Sequence, residues 1–245
     1  NILETGMTSI SKIALACAAL VAASSAFAQK AGDNIGSLGL AFVNTRADVG
    51  TLTNTGPLSS VLNPYLVGSS ATIGRESTLA FSWLHMYTDN IGGEVTIGIP
   101  PRVRQDLTVP LLPNGFGGPN HPAAANIDVL TPSVVAKYFF GTAQDKWRPY
   151  MGLGVSRVSF NDIAVSKSDP TVKALGGTST SFSSSLAPVY NAGMIYNLDE
   201  AWNISGSVSY IPIKTDVTFV GTDGTTTGQV KLKVTDYLVR LGYRF

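Results

Sequence analysis

Histidine and cysteine, the side chains most often used in acid–base, thiol and zinc chemistry, are scarce in this sequence: two histidines, His85 and His121, and one cysteine, Cys17. His85 shares the parity of Phe81, Trp83 and Tyr87 in an alternating segment, which puts it on an apolar strand face at a membrane interface. His121 stands between Asn120 and Pro122 in a stretch with loop character. Neither has a serine and a carboxylate at the spacing of a hydrolytic triad, so no catalytic residue is expected. A Cys/His zinc site needs three or four such ligands, so no metal or cofactor is expected either. Gly152-x-Gly154 reads as two glycines making room on a strand, not as a nucleotide loop.

Charge excludes a further class. The 17 basic and 16 acidic residues leave a net charge of +1 without blocks of one sign, so no footprint for a nucleic acid exists. Charged residues make up only 13% of the chain, about half the usual share for a soluble domain. With 25 glycines and abundant Ser, Thr and Asn, an all-β chain is favoured over a helical bundle.

The chain divides into three parts. Residues 1–6 precede a plausible initiator Met7 and read as an upstream extension. Residues 7–28 read as a secretory signal peptide: Lys12 in the n-region, an apolar run from Ile13 to Ala23, and Ala26-Phe27-Ala28 as a cleavage site before Gln29. The run is too short to span a bilayer. Cys17 lies inside it, and the sequence before it departs from a lipidation motif. Residues 29–245 form the mature domain.

That domain reads as eight segments of period-two alternation, beginning at Leu38, Leu79, Val95, Val134, Met151, Tyr190, Trp202 and Tyr237. Short connections, at 88–90, 141–147 and 197–201, alternate with long ones at roughly 45–73, 102–129, 162–184 and 214–232. This predicts an eight-stranded antiparallel up-and-down transmembrane β-barrel with short periplasmic turns and long extracellular loops. In several strands the minority face is small or polar, and eight strands enclose too little room for the aromatic face, so the apolar faces should point into lipid. Tyr87, Tyr138, Phe140, Trp147, Tyr196, Trp202, Tyr243 and Phe245 then form a girdle beside the short turns. A secreted β-sandwich is the alternative, and it would not need that clustering.

The same parity assigns inward residues. Glu94, Lys137, Asn191, Asn197, Asn203, Asp236, Arg240 and Arg244 are the lumen-lining polar candidates, read either as a plug closing the lower lumen or as a network filling a small barrel. Pro100, Pro101 and Pro132 fall at similar height on adjacent strands. Proline cannot donate to a ladder, so these three should unzip the wall as a candidate lateral gap or mark strand ends; Pro188 and Pro212 make a second pair. Apolar loop residues such as Tyr65, Leu66, Val67, Leu111 and Leu112 could line an entrance or cap the barrel.

Four stretches also resemble the OmpW family of eight-stranded outer-membrane proteins, which includes an alkane-uptake porin group. They are Tyr87 to Glu94, Pro132 to Gly141 leading into Lys146 to Gly154, Tyr210 to Asp216, and Gly242 to Phe245. The resemblance implies a bacterial outer-membrane location with the lipid bilayer as surroundings, and passive, cofactor-free passage of small hydrophobic molecules with a lateral exit. It places the candidate gap at the first proline group. The ending at Tyr243 and Phe245 is similar to the signal read by the outer-membrane barrel assembly machinery. A structural or receptor barrel whose loops bind partners, without transport, is the rival. The long, Pro-rich stretch 102–129 departs from better-known members.

Overall fold

The computed structural model describes residues 29–222 and 224–245. The stretches expected as upstream extension and signal peptide, Cys17 included, lie outside the described residues, as does Asp223. The strands and helices run in order β1 (Asn34–Val49), β2 (Thr53–Asn54), α1 (Ser59–Leu66), β3 (Ser70–Ile73), β4 (Glu76–Met86), β5 (Ile91–Gly98), β6 (Arg102–Thr108) and β7 (Asn120–Leu130). They continue with β8 (Ser133–Phe139), β9 (Trp147–Val165), α2 (Pro170–Gly176), β10 (Ser179–Phe182), β11 (Ser185–Asn197), β12 (Trp202–Gly221) and β13 (Gly224–Arg244).

Eight of these strands close a ring. β1, β4, β5, β8, β9, β11, β12 and β13 pair antiparallel in that order, and β13 returns to β1 from Ile35↔Arg244 to Val49↔Val230. The predicted alternation fixes which way each strand faces. On β13, Leu238 and Arg240 are buried while Tyr237, Val239, Leu241, Tyr243 and Phe245 are exposed; on β12, Asn203, Ser205 and Ser209 are buried while Trp202, Ile204, Val208 and Tyr210 are exposed. A band of exposed aromatic and aliphatic side chains around the whole ring is untenable in water and fits lipid.

The short turns are held by side-chain caps. Thr88 Oγ1 accepts from the N–H of Ile91 at 2.9 Å, and Asp145 Oδ2 accepts from the N–H of Thr142 at 2.7 Å. Asp199 Oδ1 accepts from the N–H groups of Ala201 and Trp202, both at 2.7 Å. The Trp202 and Ala201 donors hold that carboxyl below its ordinary value.

The stretches expected as long loops are largely ladder instead. β6 and β7 form a hairpin inside 102–129, β9 runs on to Val165, and β12 and β13 pair through 214–232 to Gly221↔Gly224. Polar residues here satisfy their backbones by continuing the sheet, and the outward face changes chemistry: β13 passes from Tyr237 to Lys233 and Lys231. At roughly 3.3 Å per residue and a tilt near 40°, the 21 residues of β13 rise about 50 Å, against an apolar band of about 25 Å. About half of the wall therefore stands outside the membrane.

In detergent the protein should give a β-type circular dichroism spectrum, and its unboiled electrophoretic mobility should differ from the boiled form; a helical spectrum would contradict the ring. A tag inserted at Gly224 should be accessible on intact cells and one at Glu200 should not, both sites lying at turns; the reverse pattern would invert the barrel.

Candidate functional site

The lower lumen is filled. Nearest the short turns, the fully buried Arg148 donates from one guanidinium nitrogen to the Gln29 carbonyl and from the other to the Asp89 carbonyl, each at 2.6 Å. The Gln29 amide donates to Asn197 Oδ1 at 2.7 Å, and Asn203 lies opposite Asn197 in the β11–β12 register. The segment leading into β1 is thus tied to β9, β11 and the first turn. Ile35, Leu84, Met86, Phe139, Tyr150 and Ile195 form a packed apolar layer beside this knot.

A charge cluster caps that layer. Glu94 Oε1 accepts from Lys137 Nζ at 2.6 Å and from an Arg240 terminal nitrogen at 2.9 Å. Arg240 also donates to Ser82 Oγ at 3.1 Å and Tyr150 Oη at 3.2 Å, and Lys137 Nζ sits 4.3 Å from the Tyr150 ring centre. All three ionisable groups are buried, so removing one partner would cost about 3–5 kcal/mol by stranding another. Glycine makes the cluster possible: a Cβ at Gly39 would lie 2.6 Å from Arg240 Cγ.

Above the cluster are two cavities of about 110 and 80 Å³. Glu94, Asn191, Asp236 and Arg240 lie on the lower one, and the rest of its lining is mostly aliphatic, including Val43, Ile99, Val135 and Ile213. The upper one is nearly all apolar, with Phe160, Val172, Leu175 and Phe182. Ile73, Gln105, Phe160 and Leu232 border both, so the two form one column.

The roof is latched. Asp169 caps α2, its Oδ1 accepting from the N–H groups of Thr171 and Val172 at 2.9 and 3.0 Å, and its Oδ2 bonds His121 Nδ1 at 2.8 Å. Burial alone would raise this carboxyl, but the Val172 donor, the His121 ring and the Thr171 donor together hold it below its ordinary value. His121, expected in a loop, is in fact buried at the start of β7; its partner lies 48 residues on, which spacing does not reveal. Leu66, Val109 and Leu112 pack beneath the outer segments, while Val67 and Leu111 are exposed.

The wall has two seams. β5 and β8 pair up to Thr96↔Ser133, and β6 and β7 resume at Arg102↔Asp128. Between them no ladder runs, and the Val129 N–H donates to the Pro101 carbonyl at 3.3 Å, a weak contact. Pro100 is exposed and Pro101 lines the lower cavity, while Pro132 is held from β9 by the Arg157 N–H at 3.0 Å. Ile99 is 53% exposed and still borders the cavity, so the seam separates lumen from lipid by one side chain. The second seam lies between Tyr190↔Tyr210 and Phe182↔Val217, around Pro188 and Pro212. Val189, Ile211 and Ile213 carry the same cavity to it.

The eight polar candidates thus fall into groups. Glu94, Lys137 and Arg240 form the charge cluster, with Asn191 and Asp236 on the cavity above. Asn197 and Asn203 belong to the lower knot. Arg244 sits at the turn rim, paired with Asp33 at 3.3 Å and donating to the Glu200 carbonyl. Tyr243 stacks edge-on against Trp202, their ring centres 5.0 Å apart, and Phe245 exchanges backbone bonds with Asn34. Sequence reasoning missed Gln29, Ser82, Arg148 and Tyr150. Arg148 and Tyr150 share the inward parity of Gly152, and starting that strand at Met151 hid them.

A family model described as the OmpW family matches residues 30–245. The outer membrane protein AlkL of Ectopseudomonas oleovorans is 27% identical over 177 residues, 72% of this chain and 69% of that protein. Outer membrane protein W of Salmonella typhi is 29% identical over 222 residues, covering 90% and 92%. Among solved structures, the crystal structure of OprG from Pseudomonas aeruginosa superposes with a TM-score of 0.75 at 23% identity, covering 90% of this chain and 99% of that one. Fold, register and family match agree: this chain is an outer-membrane β-barrel of the OmpW family.

Proposed function

We propose that the barrel is a passive conduit for small hydrophobic molecules, admitted at the extracellular mouth and released sideways through the seam at Pro100, Pro101 and Pro132. The observation that carries this reading is the placement of the apolar column: it is closed below by the Glu94 cluster and the Arg148 knot, and it meets lipid at Ile99. A solute too apolar for water gains by staying in such a column, at roughly 25 cal/mol per Å² of buried apolar surface. The lower plug denies it the periplasm, so the wall is the short way out. Glu94, Lys137 and Arg240 act as that plug. Tyr243 and Phe245 serve as the signal for the barrel assembly machinery. The receptor reading needs a partner for the loops and no open seam.

Replacing Pro100, Pro101 and Pro132 by Val or Thr restores backbone donors that can pair across the hairpin. Unpaired groups facing hydrocarbon cost several kcal/mol each, so the seam should seal. Uptake of a labelled hydrophobic probe should then fall about tenfold or more while heat-modifiable mobility persists, this drop corresponding to about 1.4 kcal/mol of added barrier. Unchanged uptake with demonstrated pairing would rule out this exit and turn attention to Pro188 and Pro212; equal uptake with and without the protein would favour the receptor reading.

Arg148→Ala removes two charge-assisted bonds from the lower knot, each worth about 1.5–3 kcal/mol. Single-channel conductance in planar bilayers should rise above the wild-type trace. Identical traces would show that the apolar layer alone seals the lumen.

A further inference from the structure

The lower cavity has an apolar wall and an unfinished polar floor. Three buried polar atoms on it have no hydrogen-bond partner among the described residues: Arg240 Nε, Asn191 Oδ1 and Asp236 Oδ1. They come from three separate side chains, two of which, Arg240 and Asn191, are otherwise engaged. Arg240 spends both terminal nitrogens on Glu94, Ser82 and Tyr150. Asn191 donates to Ser209 Oγ at 2.9 Å and to the Val208 carbonyl at 3.3 Å. The register sets Asn191, Ser209 and Asp236 side by side across β11, β12 and β13, with Arg240 one inward position beyond Leu238 on β13. One donor and two acceptors therefore line the base of one aliphatic chamber.

A purely hydrocarbon ligand would leave all three atoms unpaired, which is expensive in a dry site. We propose that the cavity is built for an amphiphile: a medium-length alkyl chain carrying a neutral hydroxyl head, with the chain among the valines and isoleucines and the head on Arg240, Asn191 and Asp236. A hydroxyl suits this floor because it accepts from Arg240 Nε–H through its oxygen and donates its own proton to Asn191 or Asp236. Glu94 already pairs with both Lys137 and Arg240, so an anionic head would face a buried carboxylate and a cationic head two buried cations. This inference rests on the conduit reading and narrows its substrate class.

The test uses the barrel purified from outer membranes and reconstituted in lipid nanodiscs, with 1-decanol, n-decane and decanoate as probes at equal bilayer mole fraction. The alcohol should bind about tenfold more tightly than the alkane, the worth of one net hydrogen bond. The Arg240 Nε–H resonance should shift with 1-decanol and stay in place with n-decane. Asn191→Leu should bring the alcohol-to-alkane ratio toward one; should that variant fail to fold, the Arg240 resonance in the wild-type protein still decides. Equal affinities with an unmoved resonance would overturn the amphiphile proposal and leave the conduit reading intact. Tighter binding of decanoate would overturn the neutral head. Absence of binding by all three would overturn both.

Discussion

Everything in this barrel follows from the fate of its backbone hydrogen bonds in hydrocarbon. An N–H or carbonyl facing lipid has no water to turn to, so a sheet that crosses a membrane must close on itself. The pairing of β13 with β1 from Arg244 up to Val230 performs that closure. Once the ring is shut, the inward residues of eight strands share a narrow space, and their identities decide whether it is a pore, a plug or a pocket. Here both extremes coexist, with a packed lower half and an apolar column above it.

The same constraint gives the prolines their meaning. A residue without a donor cannot extend a ladder on the side its nitrogen faces, and the breaks around Pro100–Pro101–Pro132 and Pro188–Pro212 both fall at the level of the lower cavity. Below that level the register is continuous around the ring. Continuous and interrupted ladder thus occupy different heights of one sheet. The Glu94 cluster marks the border, cross-linking β5, β8 and β13 with bonds that the low dielectric strengthens.

Much of this was legible in the sequence because period two is a strong signal when one face must meet lipid. Alternation over Trp202 to Tyr210 and Tyr237 to Phe245 fixed the facing of every residue in those strands, and with it the inward set from Glu94 to Arg240. The extracellular half was less readable. Above the membrane the alternation inverts: on β12 Ile211, Ile213 and Val217 face in against Lys214 and Asp216, and on β13 Val230 and Leu232 face in against Lys231 and Lys233, so a reading that looks for outward apolar faces takes these stretches for loops. Contacts between distant segments were also hidden, among them His121 with Asp169 and Arg148 with Gln29, since no spacing encodes them. The pairing of the gap prolines was accessible by counting from the turns, whereas the orphaned atoms on Arg240, Asn191 and Asp236 needed coordinates.

The height of the wall bears on where a solute would start in the conduit proposed above. Strands that continue roughly 25 Å past the apolar band lift the roof at α2 and its latch well clear of the lipid headgroups. A greasy molecule approaching a bare outer membrane meets a hydrated, sugar-bearing surface that it dissolves in poorly. In that proposal, a chimney of this length sets its opening beyond that layer, so a molecule entering there would bypass the barrier before it reached the first lipid-facing residue.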